Sequence, residues 1–339
     1  MLKGGIIGLG RMGITHLSIL NTHPSVRFIA LCDSSKFMRR NLSKQLNISL
    51  FSDYHEMIDK SDLDFVIIAT PTSSHAGIVK YAIQNNLHVF AEKPFVLRSQ
   101  DGEEIVDVLS KRLVNQAGYV NRFNEVFVKV KEHMDRGLIG DLCHFRFEVR
   151  AATVLKSSNK SWRTQTKEGG GCLHEMGSHV IDLINYIVGP PDNISGSVVQ
   201  KIYSSDVGDA VYSTFTYKKG FSGNLLANWS DVTCRKPMYH IELLGKNGKI
   251  IANQHDYRAY LRIAEKTLGF REGWNTRHIT DFAQPVRFYV RGNEFTRQLD
   301  YFINCIINKK TENRCSLAEA LVTDRIIERI AEDCGQTST

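Results

Sequence analysis

The sequence lacks the features that mark disulfide-rich, zinc-binding and membrane proteins. It has no C-x-x-C pair, and its seven cysteines are odd in number and widely spaced, which argues against a disulfide framework or a structural zinc site. Apolar runs such as 65–69 (FVIIA) are far too short to cross a bilayer. The first residues, MLKGGIIGLG, enter a predicted strand at once and leave no room for a signal peptide. We therefore expect a cytoplasmic protein without a membrane partner.

Long basic runs, internal repeats and low-complexity linkers are also absent. The formal net charge is +7, but the lysines and arginines are scattered, and no run of five or more occurs. This distribution argues against a nucleic-acid partner and favours only a general attraction of anionic ligands such as phosphates. With 339 residues, the chain exceeds the ~250–300 residues at which single cores stop growing, so we expect two domains.

Strand and helix patterns alternate in the first third of the chain. Apolar runs at 3–10, 26–33, 63–70 and 87–94 are separated by helical segments such as 11–20 and 74–86. Continuous apolar strands that alternate with helices predict a doubly wound parallel sheet, covered on both faces.

The pattern changes near residue 140 to period-two alternation. Residues 142–152 alternate, 211–229 predict two strands around a turn, and 239–253 predict a hairpin with Asn247-Gly248 at its tip. These patterns indicate an α+β region with a mainly antiparallel sheet. A Ser316–Glu319 capping box precedes a predicted helix over 317–332.

Residues 8–13 read GLGRMG and fit G-x-G-x-x-G between a strand and a helix. Such glycines allow a tight turn and close backbone approach, and the helix N-terminus offers N–H groups to a pyrophosphate. Asp33, at the end of the second strand, is suited to accept hydrogen bonds from the ribose hydroxyls and to repel a 2′-phosphate, so NAD is favoured over NADP. The residues that we predict to contact the cofactor here are Gly8, Gly10, Arg11, Met12, Gly13 and Asp33. A plain turn beside a solvated aspartate is the alternative, and Ser34, Ser35 and Lys36 keep NADP open.

The segment Ala91-Glu92-Lys93-Pro94 ends another predicted strand. Ligands of doubly wound sheets bind beyond the carboxyl ends of the strands, so the Lys93 ammonium can hydrogen-bond a substrate hydroxyl and stabilise a developing alkoxide. An ordinary surface lysine is the alternative. The further cofactor contacts that we predict at this edge are Thr70, Pro71, His75, Glu92 and Lys93. For His75, the alternative is a helix-start histidine with satisfied nitrogens.

Residues 169–183, GGGCLHEMGSHVIDL, join a triple glycine to a predicted helix. Its polar face continues from Glu175 and His179 to Asp182 and Tyr186, and the opposite side carries an apolar stripe predicted to be buried, formed by Leu173, Met176, Val180, Ile184 and Ile187. His174 and His179 lie roughly 140° apart around an α-helix, so we predict no metal site. Glu175 and His179 form an i,i+4 pair, in which a carboxylate raises the basicity of an imidazole and orients it to take a proton from an alcohol. A solvated polar face is the alternative. The glycines favour function, because they are costly unless the backbone bends sharply or approaches a ligand.

Together these motifs resemble the glucose–fructose oxidoreductase / inositol dehydrogenase (Gfo/Idh/MocA) family of NAD(P)-dependent enzymes. The shared segments are GLGRMG (8–13), ATPTSSH (69–75), AEKP (91–94), GYVNRF (118–123), Trp162-Arg163 and GGGCLHEMGSHVID (169–182). The resemblance implies a Rossmann domain over 1–122 and an α+β substrate domain with an open, mainly antiparallel sheet over 123–339, with C-terminal helices that can pack back on the first domain. It also implies a homodimer or homotetramer, for which the sheet face commonly provides the contacts.

The resemblance also assigns roles to individual residues. Lys93 and His179 fall at the positions of the catalytic pair. Glu175 replaces the aspartate that usually stands four residues before the histidine, and its extra methylene changes where the carboxylate lies. The residues that fall where relatives line the cofactor–substrate cleft are Asn121, Arg122, Trp162 and Arg163. For Arg122 and Trp162, packing between domains is the alternative.

The implied reaction is oxidation of a secondary alcohol on a sugar, inositol or nucleotide sugar, with hydride transfer to nicotinamide. The identity of the ring stays open. Two other functions remain: a non-enzymatic dinucleotide-binding regulator, and a sugar-modifying enzyme whose tightly bound NAD is recycled. Segment 254–291, rich in arginine, histidine and aromatic residues, suits either a pocket or an oligomer surface.

Overall fold

The structure is a computed structural model that describes residues 1–153 and 162–335. The chain forms two compact units. Unit 1 comprises Met1–Val120 and Pro285–Leu321, and unit 2 comprises Asn121–Gln284 and Val322–Thr339. Within the described ranges, no helix has the length and apolar character needed to span a membrane.

Unit 1 is built on a six-stranded sheet in which every pair of neighbours is parallel. Its strands are β1 (Leu2–Ile7), β2 (Val26–Cys32), β3 (Ser49–Phe51), β4 (Phe65–Ile68), β5 (His88–Ala91) and β6 (Asn115–Ala117). The order β3-β2-β1-β4-β5-β6 is that of a dinucleotide-binding Rossmann sheet. All four residues of β4 are buried, as expected for a sheet covered on both faces, and the predicted fold class of this region is confirmed.

Helices connect successive strands of this sheet, as in a doubly wound fold. They are α1 (Arg11–Leu20), α2 (Lys36–Leu42), α3 (Tyr54–Lys60), α4 (His75–Gln84) and α5 (Ser99–Val108), with a short 3-10 turn at Thr72–Ser74. Local side chains begin two of them: Ser35 accepts the Met38 N–H, and Asp53 accepts the Glu56 N–H. Each bond satisfies one of the helix N–H groups that lack a partner within the first turn.

The carboxyl ends of β1, β4 and β5 lie at one edge of the unit 1 sheet. Ile7 pairs with Ile68, and Ile68 pairs with Ala91. The backbone bonds continue one residue further, since Ala69 N–H donates to Ile7 O and Glu92 N–H donates to Ile68 O, each at 2.8 Å. The loops that leave these strands therefore start side by side.

Unit 2 contains an eight-stranded sheet with the order β14-β13-β12-β11-β7-β10-β9-β8. Its strands are β7 (Leu142–Arg150), β8 (Asn193–Gln200), β9 (Ala210–Thr216), β10 (Ser222–Asn228), β11 (Met238–Gly245), β12 (Gly248–Ala252), β13 (Asp256–Leu261) and β14 (Gly273–His278). Only the β7–β10 pair is parallel among these, so the predicted mainly antiparallel sheet is confirmed.

The hairpin prediction needs a small correction. Gly248 already pairs with Gly245 as the first residue of β12, so the two-residue turn is Lys246-Asn247 rather than Asn247-Gly248. A Cβ on Gly248 would lie 2.1 Å from the Tyr260 carbonyl oxygen. The glycine is therefore required by close packing against the neighbouring strand and not by the turn.

One face of the unit 2 sheet is covered by helices. These are α6 (Glu125–Asp135), α7 (Ser178–Ile187), preceded by a π-helical turn at Leu173–Gly177, and the short α8 (Ile279–Phe282). Short 3-10 turns occur at Val120–Phe123, Trp162–Thr164, Thr166–Glu168 and Lys266–Leu268. The covered face forms one apolar core, which includes the fully buried Trp229.

Two helices complete the chain, α9 (Asn293–Ile307) and α10 (Leu317–Asp333). The α9 helix belongs to unit 1, where the Phe302 ring meets the rings of Phe65 and Phe90 edge-to-face at 5.9 and 5.8 Å. The predicted start of α10 is confirmed, because Ser316 Oγ accepts the Glu319 N–H at 3.2 Å.

Candidate active site

Each of the three glycines in the unit 1 loop has different structural surroundings. Gly8 adopts φ 92°, and a Cβ there would lie 2.7 Å from the Ala69 carbonyl group. A Cβ on Gly13 would lie 1.9 Å from Gly8 O, so this position permits only glycine. Gly10 is exposed and no heavy atom lies within 4 Å of a Cβ placed on it. The loop is thus held tightly at its two ends and open at its middle, where a ligand backbone can approach.

The start of α1 is free to receive an anion. Gly10 occupies the N-cap without a side-chain hydrogen bond, and no acidic residue stands in the first turn. The first N–H groups of a helix lack intrahelical partners and carry partial positive charge. Arg11 is exposed and Met12 is half-buried beside them. This open cradle fits the pyrophosphate of a dinucleotide.

Asp33 lies directly beside the glycine loop. Its Oδ2 accepts the Leu9 N–H at 2.7 Å and its Oδ1 accepts the Ser35 N–H at 2.8 Å. Each carboxylate oxygen keeps a further lone pair for a ribose hydroxyl. The fixed negative charge opposes a 2′-phosphate at this position, which fits NAD better than NADP.

His75 is enclosed rather than exposed. The ring is 1% exposed, and its two nitrogens lie 3.0 Å from the carbonyl oxygens of Pro94 and Thr70. Burial lowers the pKa of His75, and a neutral imidazole donates from only one of these nitrogens. This position fits a histidine that joins two loops at the sheet edge, with Thr70 half-buried and Pro71 exposed beside it.

Lys93 follows β5 directly and is half-buried, and its peptide bond to Pro94 is cis. The adjacent Glu92 carboxylate accepts the Lys93 N–H through Oε2 at 3.2 Å. Its other oxygen lies 2.7 Å from His16 Nε2. Sequence reasoning did not single out His16, although a histidine on the apolar side of RMGITHLSIL was the available signal. Within unit 1, the structure therefore places Lys93, Glu92 and the glycine loop at one sheet edge.

The triple glycine of unit 2 forms the predicted sharp bend. Gly169 and Gly171 adopt φ values of 76° and 100°, a backbone region that residues other than glycine rarely adopt. Between them, a Cβ on Gly170 would lie 2.4 Å from the Arg163 carbonyl oxygen. Gly171 N–H donates to that same oxygen at 2.9 Å. The glycines therefore bring the Trp162-Arg163 turn against the start of the histidine-bearing helix.

The first turn of that helix is π-helical over Leu173–Gly177, not α-helical as predicted. The α-helical angle between His174 and His179 therefore does not apply. Among the described residues, no group of three or more His, Cys, Asp or Glu side chains could hold a metal ion. The apolar stripe of the helix is buried as predicted, at Leu173, Met176, Val180, Ile184 and Ile187, while His174, Glu175 and His179 are partly exposed. A π-turn within a helix is frequent at functional sites.

Asp182 was predicted from its spacing to continue the polar face, but the structure buries it instead. Its carboxylate is fully buried and pairs with Arg122, whose side chain is 4% exposed. Arg122 Nε donates to both oxygens at 3.0 and 3.1 Å, and Nη2 donates to Oδ1 at 2.8 Å. The guanidinium also lies 5.2 Å from the centre of the Tyr186 ring. This geometry gives Arg122 a buried ion-pair partner within unit 2.

Glu175 is held by Arg163 rather than standing alone. Arg163 Nε lies 3.2 Å from Glu175 Oε1, with side chains 26% and 15% exposed. The guanidinium also stacks on the Trp162 ring at 4.7 Å. Asn121 is buried at 7% exposure, and its Nδ2 has no acceptor among the described residues. A buried amide donor left over in this way is suited to a ligand oxygen.

Comparison with known proteins agrees with this geometry. A family described as "Oxidoreductase family, NAD-binding Rossmann fold" (Gfo/Idh/MocA) matches residues 2–116, and the GFO/IDH/MocA C-terminal domain matches residues 127–251. The scyllo-inositol 2-dehydrogenase (NAD(+)) of Bacillus subtilis (strain 168) is 25% identical over 319 residues, 91% of this chain and 87% of the relative.

Two further matches are one relative in sequence and one solved structure. The 2,7-anhydro-N-acetylneuraminate hydratase of Escherichia coli (strain K12) is 23% identical over 282 residues, 80% of this chain and 72% of the relative. The structure of levoglucosan dehydrogenase in complex with NADH and levoglucosan superposes with a TM-score of 0.85 at 21% identity, covering 99% of this chain and 97% of that one. At that identity, the superposition establishes the fold. With both family domains matched in order, this chain belongs to the Gfo/Idh/MocA family of NAD-binding oxidoreductases.

Proposed function

We propose that this protein is an NAD-dependent dehydrogenase that oxidises a secondary alcohol of a sugar, inositol or nucleotide sugar. The observation that carries the proposal is the carboxyl edge of the unit 1 sheet, where the glycine loop follows β1 and Lys93 follows β5, the two strands on either side of β4. An open helix N-terminus and a proton-donating side chain at one such edge are what hydride-transfer sites require. The activity named for the Bacillus subtilis relative supports a polyol substrate.

The chain supplies binding and electrostatics, and the bound NAD+ supplies the hydride acceptor. The residues that we propose to hold the dinucleotide are Gly8, Gly10, Arg11, Met12, Gly13, Asp33, Thr70, Pro71 and Glu92. His75 acts by fixing the loop after β4, since its ring is enclosed.

We assign proton transfer to two side chains. His179 accepts the proton of the substrate hydroxyl, because a partly exposed imidazole is the side chain best suited to gain and lose a proton near neutral pH. Lys93 hydrogen-bonds that oxygen and stabilises its developing negative charge. The Glu175–Arg163 pair and Asn121 position the other ring hydroxyls, with Trp162 as an apolar surface under Arg163.

The test is a single-turnover measurement of NADH formation with a panel of inositols, free sugars and nucleotide sugars. We expect His179→Gln to lower the rate by about 10²–10⁴-fold, the usual contribution of a general base. His174→Gln is the matched control, because this histidine is partly exposed on the same helical segment, and we expect it to retain the wild-type rate. A wild-type rate in His179→Gln would overturn the assignment of the base.

The pairing of Lys93 and His179 has its own test. Catalytic groups that act as a unit are strongly non-additive. We therefore expect Lys93→Met/His179→Gln to be no slower than the slower single variant. Rate losses that multiply would show that the two residues act independently.

A second function is favoured by one relative. The hydratase of Escherichia coli is named for a reaction without net oxidation, which suits an enzyme that recycles tightly bound NAD. Purified protein that carries NAD and converts a sugar without accumulating NADH would favour this function. Bound NAD without turnover of any sugar in the panel would instead favour a dinucleotide-binding regulator.

We also propose that the protein forms a homo-oligomer in the cytoplasm. On the face of the unit 2 sheet opposite the helices, Leu244, Lys249, Tyr260 and Trp274 are successive cross-strand neighbours, and the three apolar ones are 39–42% exposed. All seven cysteines are free, as a reducing compartment requires. Light scattering should report a dimer or tetramer, and Tyr260→Glu/Trp274→Glu should lower the mass to that of a monomer.

A further inference from the structure

His16 is a fully buried histidine in the helix that follows the glycine loop. It is 0% exposed and is part of α1. Its Nε2 lies 2.7 Å from Glu92 Oε1, and the other face of the ring meets Phe90 edge-to-face at 5.2 Å. Burying a polar ring costs free energy unless the ring forms a hydrogen bond. The partner, 76 residues away, stands beside Lys93.

The Glu92 carboxylate is fixed from three sides. His16 approaches Oε1, the Lys93 N–H donates to Oε2 at 3.2 Å, and Gly118 approaches from β6. A Cβ on Gly118 would lie 2.7 Å from Oε2, so only glycine leaves room for the carboxylate in this position. Such contacts leave Glu92 little freedom to change its rotamer.

Glu92 also keeps its negative charge despite burial. Desolvation raises the pKa of a buried carboxyl, but the hydrogen bond and charge of His16 and the charge of Lys93 outweigh it and lower the pKa of Glu92. The third titratable group around this carboxylate is His75 of α4, which senses the Glu92 charge. A fixed anion therefore lies beside Lys93, whose backbone N–H it accepts and with whose charge it interacts.

We propose that His16 is a positioning residue, which holds the Glu92 carboxylate as a fixed anion beside Lys93 and thereby keeps Lys93 in place for the substrate hydroxyl. His16 itself touches neither cofactor nor substrate. The inference rests on the role of Lys93 in the proposed dehydrogenase reaction. It assigns Glu92 to the support of Lys93 first, and to contact with the dinucleotide only second.

Three variants separate this role from a purely structural one. His16→Leu removes the hydrogen bond, His16→Gln keeps an N–H donor at a similar distance, and Glu92→Gln keeps the shape but removes the charge. We expect kcat to fall about tenfold in His16→Leu and in Glu92→Gln, which corresponds to one charge-assisted hydrogen bond. The Kd for NADH should stay within about twofold of the wild-type value in His16→Leu, and His16→Gln should stay within about threefold of the wild-type kcat. If His16→Leu does not fold, Glu92→Gln carries the comparison with His16→Gln.

A readout that needs no substrate tests the same coupling. Acetylation by a small anhydride consumes the neutral, mobile form of a lysine amine, and mass spectrometry follows it at each site. We expect Lys93 to react several-fold faster in His16→Leu and Glu92→Gln than in the wild type. Lys80 is the internal control, since it lies on the surface of α4 with Glu104 as its partner, and its rate should not change.

The outcomes are distinct. Unchanged kcat and unchanged Lys93 acetylation in His16→Leu, even with a lower melting temperature, would overturn the proposal. So would a fall in kcat matched by an equal loss of NADH affinity, because that indicates general damage to the dinucleotide unit. If the wild-type enzyme oxidises no sugar, the proposed function fails, and the acetylation rates alone decide whether His16 controls Lys93.

Discussion

Replacing Asp182 by asparagine should destabilise unit 2 strongly. The Arg122–Asp182 pair is 4% and 0% exposed and joined by three hydrogen bonds of 2.8–3.1 Å. Removing one partner of a buried ion pair leaves an uncompensated charge and costs about 3–5 kcal/mol. Asparagine retains one acceptor oxygen, so we expect a loss of about 3 kcal/mol in the free energy of unfolding.

Tryptophan fluorescence during urea unfolding measures this loss selectively. All three tryptophans, Trp162, Trp229 and Trp274, lie in unit 2, so their emission follows that unit. The matched control is Asp141→Asn, which breaks a 2.9 Å pair with Lys246 whose side chains are 80% and 71% exposed. Exposed pairs contribute about 0–1 kcal/mol. A loss below about 1 kcal/mol in Asp182→Asn would refute the argument from burial.

The same pair decides the role of Arg122. Replacing a buried ion pair by apolar residues of similar size often restores stability, so Arg122→Met/Asp182→Leu should be more stable than Asp182→Asn. If Arg122 is structural, dehydrogenase activity returns with stability. If Arg122 contacts the substrate, as predicted from the sequence, the double variant stays inactive although it is folded.

Two further predictions follow from the glycine loop and from a buried histidine. Gly10→Ala should weaken NADH binding at an unchanged melting temperature, because a methyl group there meets only the ligand. Gly13→Ala should lower both the NADH affinity and the melting temperature, because its Cβ would lie 1.9 Å from Gly8 O. Equal NADH affinity of Gly10→Ala and wild type would contradict this prediction. Burial lowers the pKa of His133 to about 4, so the unfolded chain takes up a proton first as the pH falls. Stability present above about pH 6.5 is then lost towards pH 4, by about 3 kcal/mol, and a pH series of urea unfolding should show a smaller loss in His133→Asn.

Local patterns were sufficient to predict about half of the elements of unit 1. The strand over 26–33 and the helix over 11–20 appear where the apolar spacing predicted them, because period and turn chemistry act between near neighbours. The strands predicted over 63–70 and 87–94 are shorter, at Phe65–Ile68 and His88–Ala91, and their last predicted residues belong to the loops that leave the sheet. Strand ends are set by the contacts of the loop, which the run of apolar residues does not record.

The polar face of the histidine helix was predicted only in part. The i,i+4 spacing of Glu175 and His179 assumed an α-helix, but the close packing of Gly170 against Arg163 and the π-turn at Leu173–Gly177 change the geometry. Asp182 looked like a third member of the exposed face, and the structure buries it against Arg122. One-dimensional spacing identifies which residue types share a helix but not which partner each one meets.

By itself, the sequence determined the two sheet types, the glycine loop with Asp33, and membership of a dinucleotide-binding family. These depend on short-range periodicity, on backbone angles that only glycine adopts, and on motifs in a constant order. Only the tertiary structure decided the parallel β7–β10 contact, the place of α9 in unit 1, and the His16–Glu92 and Arg122–Asp182 pairs, which join residues 76 and 60 positions apart. Those partners are selected by the packing of the whole core, which excludes water, so that each buried charge must be satisfied by neighbouring protein groups.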